Sequence, residues 1–413
     1  MPRKAATDTL QDELVSFDRF GTETTVGATE VQWDGRAVSV DTYTNEFWTS
    51  RQRAANRLHE VSYRACFKPQ LPRFFIERLT AEGDVVYDPF MGRGTTALEA
   101  ALLGRVPFGN DINPLSEILL RPRLEPPAFE EVEERLAEMP LDDPGEMPDD
   151  LHVFYHAETL RELCSLMRYL NSREAEGSLD RVDRWIRMVA VNRLTGHSSG
   201  FFSVYTMPPN QAVSVESQRK INARREQKPP RRDVPALILK KTGSLLGALG
   251  AEERAVLEKV SERTLLLTGE AASTPELRDG TVSLVVTSPP FLDVVDYARD
   301  NWLRCWFCGI SADEVPITIA HDLKDWQEVM ARVFEEVARV LAPGGHVAFE
   351  VGEVRRGEVL LEEAVIPCGL RARLDPVLVL INDQEFTKTA NCWGVSNRRK
   401  GTNTNRVVLF RMQ

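Results

Sequence analysis

Two short segments of this chain combine residue types that can do chemistry. The first is Asp88-Pro89-Phe90-Met91-Gly92-Arg93-Gly94-Thr95-Thr96. Gly92 and Gly94 lack side chains, so the backbone there can turn tightly and approach a ligand. The stretch that follows, TTALEAALLG, is rich in helix formers and ends at Gly104. Its first free N–H groups and positive end suit a carboxylate. Asp111, in Gly109-Asn110-Asp111-Ile112-Asn113-Pro114, can accept hydrogen bonds from both hydroxyls of a ribose. The second segment is Thr287-Ser288-Pro289-Pro290-Phe291. Two prolines fix two φ angles and remove two donors. The loop then offers carbonyls and the Ser288 hydroxyl as acceptors in a rigid frame. Acceptors of that kind bind the hydrogens of an amine, aim its lone pair and stabilise positive charge developing on nitrogen. Phe291 offers a face on which an extruded base can stack.

The elements around these segments suggest how they are held. DVVYD (84–88) reads as a buried strand, and VPFGND (106–111) as a second, with the helix between them. That β-turn-α-β unit opens a doubly wound sheet. Further strands are expected at 263–269, 282–288, from 346, at 377–381 and at 406–411. Residues 325–341 show an amphipathic helical pattern through Trp326, Val329, Met330, Val333, Phe334, Val337 and Leu341. The glycine-rich turn alone also fits a dinucleotide site. Asp88 argues against that, because a carboxylate before the loop repels a pyrophosphate and attracts an ammonium. S-adenosylmethionine carries an ammonium and a sulfonium and no phosphate.

With these residues in order, the chain resembles the amino-methylating DNA methyltransferases, the N4-cytosine and N6-adenine enzymes. HEVSYRACFKPQLPRFFI (59–76) is similar to the family's helix before the first strand, with Phe67 and Lys68 bordering the cofactor. DPFMGRGTT resembles the cofactor loop, bringing in Pro89, Phe90, Thr95 and Thr96, and GNDINP resembles the ribose-binding strand end, with Asp111 and Ile112. Gly269-Glu270-Ala271 falls where the family places an acid near the adenine, which implicates Glu270. TSPPF resembles the catalytic loop, and its Ser-Pro-Pro-aromatic form is usual in N4-cytosine members. The resemblance implies a seven-stranded Rossmann-like α/β sheet, S-adenosyl-L-methionine as cofactor, double-stranded DNA as partner, base flipping and direct methyl transfer. It also allows a restriction or defence partner. The runner-up substrates are N6 of adenine in DNA or a base in RNA. A reading of another class is a DNA-binding module that holds the cofactor without turnover.

The chain has 413 residues, 42% hydrophobic and 27% charged, enough for a large core. We expect a polar N-terminal arm (1–45), a first catalytic part (46–124) that is helical over 46–80, an acidic linker (125–150), an insertion (151–260) and a second catalytic part (261–413). The insertion is expected to form a second lobe for target recognition, since little chain follows 411. The net charge of −11 disfavours global attraction to nucleic acid. Charge is uneven, however: 125–150 holds eleven acids against one Arg, whereas 217–241 holds nine Lys/Arg. A phosphate backbone responds to the local field, within ~8–10 Å. Arg219, Lys220, Arg224, Arg225, Lys228, Arg231 and Arg232 are therefore the expected DNA contacts. Asp296 and Tyr297, just past the catalytic loop, are candidates for the base pocket. Cys305 and Cys308 form a CxxC without a second ligand pair, so no metal is expected. Cys368 follows Pro367, the dipeptide that carbon-5 cytosine methylation uses, but in an unrelated context. No apolar run reaches ~20 residues and the first residues lack a secretory signal's apolar core. No membrane partner and a cytoplasmic location are expected.

Overall fold

The computed structural model describes residues 3–49, 55–63, 66–207, 212–290, 297–315, 322–351, 353–354, 359–383 and 404–413. Its strands are β1 (Thr25–Trp33), β2 (Arg36–Asn45), β3 (Val85–Asp88), β4 (Val106–Asp111), β5 (Leu265–Thr268), β6 (Val282–Thr287), β7 (Leu341–Val351), β8 (Glu353–Val354), β9 (Val359–Leu360), β10 (Leu374–Asp383) and β11 (Thr404–Met412). The helices are α1 (Arg3–Val15), α2 (Gln70–Leu79), α3 (Thr95–Leu102), α4 (Leu115–Leu124), α5 (Phe129–Glu138), α6 (Ala157–Ala175), α7 (Arg181–Val191), α8 (Val215–Arg225), α9 (Val234–Leu246), α10 (Ala251–Ser261), α11 (Tyr297–Phe307), α12 (Leu323–Val340) and α13 (Leu361–Arg371). No helix among the described residues is long and apolar enough to cross a membrane.

The main sheet runs β1-β2-β10-β11-β7-β6-β3-β4-β5. Strands β3, β4, β5, β6 and β7 pair in parallel, and β11 runs antiparallel to both neighbours. The seven strands anticipated from the sequence are all present. The sheet has nine, however, because the expected N-terminal arm forms a helix and a hairpin. Asp34 and Gly35 turn that hairpin with φ of 50° and 72°, the two positive values that a two-residue hairpin turn requires. Strand β2 then joins β10 in parallel.

The chain builds outward from β3 through β4 to β5, then returns to the other side of β3 with β6. That reversal opens a crevice at the C-terminal ends of β3 and β6, where open α/β sheets bind ligands. Strand β6 is buried along its whole length. On one face α12 and α13 pack through Trp326, Phe334, Val337 and Val365, and on the other α2 packs Phe74, Phe75 and Ile76.

Three segments differ from expectation. The acidic stretch 125–150 contains α5, whose Val132 and Leu136 are buried while its acids face outward. Among the described residues of 46–80, helix is confined to a short turn, Arg57–His59, and α2, with irregular backbone at 60–63 and 66–69. The insertion shares one core with the sheet domain instead of forming a separate lobe. Leu163, Trp185, Ile186 and Phe202 pack in the same cluster as Ala97, Leu98 and Leu119.

Candidate active site

A pair of hydrogen bonds joins the two chemistry-bearing segments. Thr287, the last residue of β6, donates its hydroxyl to Asp88, the last residue of β3, at 2.6 Å. Thr96, at the start of α3, donates to the Val286 carbonyl at 3.0 Å. The glycine loop and the Ser-Pro-Pro loop therefore leave neighbouring strands into one crevice. Asp88 is buried at 1% exposure and accepts from the Phe90 N–H at 3.1 Å. Burial pushes its carboxyl up to about 7, with the Thr287 and Phe90 bonds acting against that rise.

The glycine loop is held from several sides. Gly94 sits at φ 76°, and a Cβ there would lie 2.6 Å from buried Leu120. Gly109 on β4 passes so near Met91 that a Cβ would lie 2.5 Å from its sulfur. Asp111 accepts from the Gly92 N–H at 2.8 Å and from the Asn113 N–H at 2.9 Å. The residue expected at a ribose thus also pins the loop, and Ile112 follows it at the start of the turn into α4. Thr95 accepts from the buried Arg93 side chain at 3.1 Å. Glu270 follows β5 and is exposed. Asn110 ties that end to the loop, donating to the carbonyls of Gly269 at 3.0 Å and Pro89 at 3.4 Å. Phe67 and Lys68 lie partly buried beside Arg93, which donates to the Phe67 carbonyl at 3.4 Å. Burial lowers the Lys68 ammonium, and Arg93 adds to that effect.

This donor set fits S-adenosylmethionine. Two carboxylates, Asp88 and Asp111, end adjacent strands, and nothing in the loop resembles a pyrophosphate clamp of cationic side chains aimed outward: Arg93 turns inward to backbone carbonyls. Asn110 Oδ1 is buried without a hydrogen-bond partner beside Gly269, an acceptor in reserve at the cradle.

Glu350 was not among the residues expected from the sequence. It lies on β7 directly beside the Ser-Pro-Pro loop, since Thr287 is in register with Phe349. Its buried carboxyl hydrogen-bonds Ser288 and accepts from Asn405 Nδ2 at 3.0 Å. Burial pushes it up to about 7, against those two bonds. An acid inside the apolar run HVAFEV was the available signal. Pro289 is buried and Pro290 half-buried. The Pro290 carbonyl is taken by the Trp326 indole N–H at 3.1 Å, so this carbonyl braces the loop against α12. Phe291 and Asp296 lie outside the described residues, as does the Tyr297 side chain.

The expected DNA contacts differ in how far their charges are already engaged. Helix α8 carries Arg219, Lys220, Arg224 and Arg225. Arg219 pairs with Asp150 at 2.6 Å, Lys220 with Glu216 at 2.6 Å, and Arg231 with Glu158 at 2.7 Å. Arg225 covers the Tyr205 ring at 3.8 Å, and Arg232 is half-buried against Thr159. Arg224 and Lys228 are exposed. The loop leading into α8 is bonded to α11: the Ala212 N–H donates to the Asp300 carbonyl, and the Trp302 indole to that of Val213.

Among the described residues Cys164, Cys305, Cys308 and Cys368 are buried thiols. Burial pushes Cys305 up to about 11, and Cys308 and Cys368 to about 12. Cys368 lies in α13 and donates to the Ala364 carbonyl, away from the crevice-forming strand ends. Among the described residues no group of three or more His, Cys, Asp or Glu is placed to hold a metal ion.

The fold is that of an α/β protein with a mixed sheet, its crevice at the C-terminal ends of β3 and β6. Residues 23–117 match the N6_N4_Mtase family model, described as DNA methylase. Over 279 residues the chain is 24% identical to Type II methyltransferase M.BsoBI of Geobacillus stearothermophilus, covering 62% of this chain and 53% of that protein. It is 37% identical over 81 residues to Type II methyltransferase M.MvaI of Kocuria varians, 19% of this chain and 17% of that one. Among solved structures it is similar to TrmN from Thermus thermophilus, at 12% identity and a TM-score of 0.32, covering 86% of this chain and 52% of that chain. The chain is thus related to the amino-methylating DNA methyltransferases, and S-adenosyl-L-methionine is the cofactor that accompanies that relationship. It spans about half the length of the first of these curated relatives and less of the second.

Proposed function

We propose that the chain transfers a methyl group from S-adenosylmethionine to the N4 amine of a cytosine swung out of double-stranded DNA. The observation that carries this is the Thr287–Asp88 hydrogen bond, which sets the cofactor loop and the Ser-Pro-Pro loop over one crevice. The serine at the head of the loop favours cytosine N4 over adenine N6.

The bound donor supplies an electrophilic methyl on a positively charged sulfur. Asp88, Asp111 and the α3 N-terminus would hold its ammonium, ribose and carboxylate, and Phe67, Lys68, Pro89, Phe90, Ile112 and Glu270 would line the rest of the cradle. Ser288 and the Pro289 carbonyl accept the two amine hydrogens, leaving the nitrogen lone pair aimed at the methyl. As the nitrogen–carbon bond formed and the sulfur–methyl bond broke, S-adenosylhomocysteine would leave and positive charge would grow on nitrogen. Ser288 accepts a proton from it and passes its own to Glu350, whose acidity near neutrality suits that task. Arg224 and Lys228, with others on or near α8, grip phosphates, while the insertion reads the target.

The test is incubation with methyl-labelled donor and duplex DNA, followed by nucleoside analysis. N4-methylcytosine, lost in Ser288→Ala, supports the proposal. N6-methyladenine refutes the choice of base, and donor binding without transfer favours a holding module.

A further inference from the structure

A strap of irregular backbone, residues 55–63 and 66–69, lies between the cofactor loop and the insertion, and it is bonded to both. Toward the loop, buried Arg93 donates to the Val61 carbonyl at 2.9 Å, and Arg123 donates to that of Leu58 at 3.2 Å. His59 meets Glu99 of α3 at 2.7 Å. A Cβ on Gly92 would lie 3.7 Å from the Tyr63 ring, so that ring forms a wall of the loop.

Toward the insertion, the Ser62 N–H donates to Asn192 Oδ1 at 3.1 Å. Asn192 is buried at the C-terminus of α7, and its amide donates back to the Met188 carbonyl at 2.8 Å. The side chain is thereby fixed with its oxygen toward the strap. Further along, Lys241 of α9 pairs with Glu60 at 2.8 Å, Arg57 donates to the Ser244 carbonyl at 3.4 Å, and Asn56 donates to Glu253 of α10 at 3.0 Å.

We infer that Asn192 is a positioning residue for the cofactor: it fixes the strap, and the strap fixes the wall of the glycine loop. This rests on the reading of the crevice as the methyl-donor site. The insertion then contributes to the donor site through the strap.

The experiment titrates the full chain with S-adenosylhomocysteine by calorimetry and measures methyl transfer at varied donor. Asn192→Ala should weaken binding about 5- to 10-fold, the worth of one buried hydrogen bond. KM for the donor should rise by a similar factor, with kcat at saturating donor kept. Asn192→Asp retains an acceptor for Ser62 and should recover most of the affinity, which a purely helix-capping role does not predict. Lys241→Gln, a milder cut at the other end of the strap, should weaken binding about 2- to 3-fold. It decides the matter if Asn192→Ala fails to fold. Unchanged affinity in a folded Asn192→Ala, or in Lys241→Gln in that event, overturns the inference and leaves the crevice reading intact. A drop in Asn192→Asp equal to that in Asn192→Ala also overturns it. A native chain that binds no S-adenosylhomocysteine overturns both.

Discussion

Replacing Glu350 with glutamine should make the protein more stable and less active, with the gain in stability growing from pH 4.5 and complete above about 7. Glu350 is held as an acid at about 7, against an ordinary 4.5, because it is buried on β7. The sign follows from which state binds more protons. Between 4.5 and about 7 the folded chain keeps this proton and the unfolded chain releases it. Stability therefore falls as pH rises through that window, and the decline is complete above it. At 1.36 kcal/mol per pH unit the penalty is ~3 kcal/mol at pH 8. Glutamine preserves the shape and can still hydrogen-bond Ser288 and Asn405, but it has no charge to bury. Glu350→Gln should then gain up to ~3 kcal/mol at pH 8 and almost nothing at pH 4.5. For a chain of this length that is roughly 2–4 °C in melting temperature. Methyl transfer should fall by about 10²-fold, because the proton relay behind Ser288 is gone. Melting curves at both pH values, with transfer rates at pH 8, test this. A variant less stable than the native chain at pH 8, or one with native rates, refutes the reasoning.

Other expectations follow from the same geometry. Donor affinity should rise as pH passes upward through about 7, where Asp88 gains its charge, and calorimetry on Asp88→Asn should show that dependence flattened. Gly94→Ala forces a side chain into left-handed backbone and against Leu120, and should cost ~2–4 kcal/mol in urea unfolding. Arg224→Ala with Lys228→Ala should lower the slope of log DNA affinity against log salt concentration by about 1 for each phosphate no longer neutralised. Arg219→Ala, which also releases Asp150, should lower it less.

The strand ends were the legible part of the site. Asp88, Asp111 and Thr287 each close a short run of buried residues, so their shared edge followed from the alternation of strand and helix. The hairpin of β1 and β2 was legible too, through Asp34-Gly35 between alternating residues, but the polar character of residues 1–45 masked it. Helix α5 was hidden in the same way, its two buried residues outnumbered by acids. Interactions made by long-range folding left little trace. Nothing in the sequence marks Arg93 and Arg123 as internal, yet both are buried and donate to backbone carbonyls of the strap. The basic run read as a uniform cationic face, whereas pairing to Asp150, Glu216 and Glu158 removes much of its field. Those acids are distant in sequence except Glu216, so only the fold could reveal the neutralisation.

The central claim is that one crevice brings a methyl donor and a DNA amine together. Nucleoside mass spectrometry of duplex DNA treated with the chain and a methyl-labelled donor measures it directly. Label should appear in N4-methylcytosine and be absent with Ser288→Ala; label confined to another base, or DNA left unlabelled by a chain that binds the donor, contradicts this.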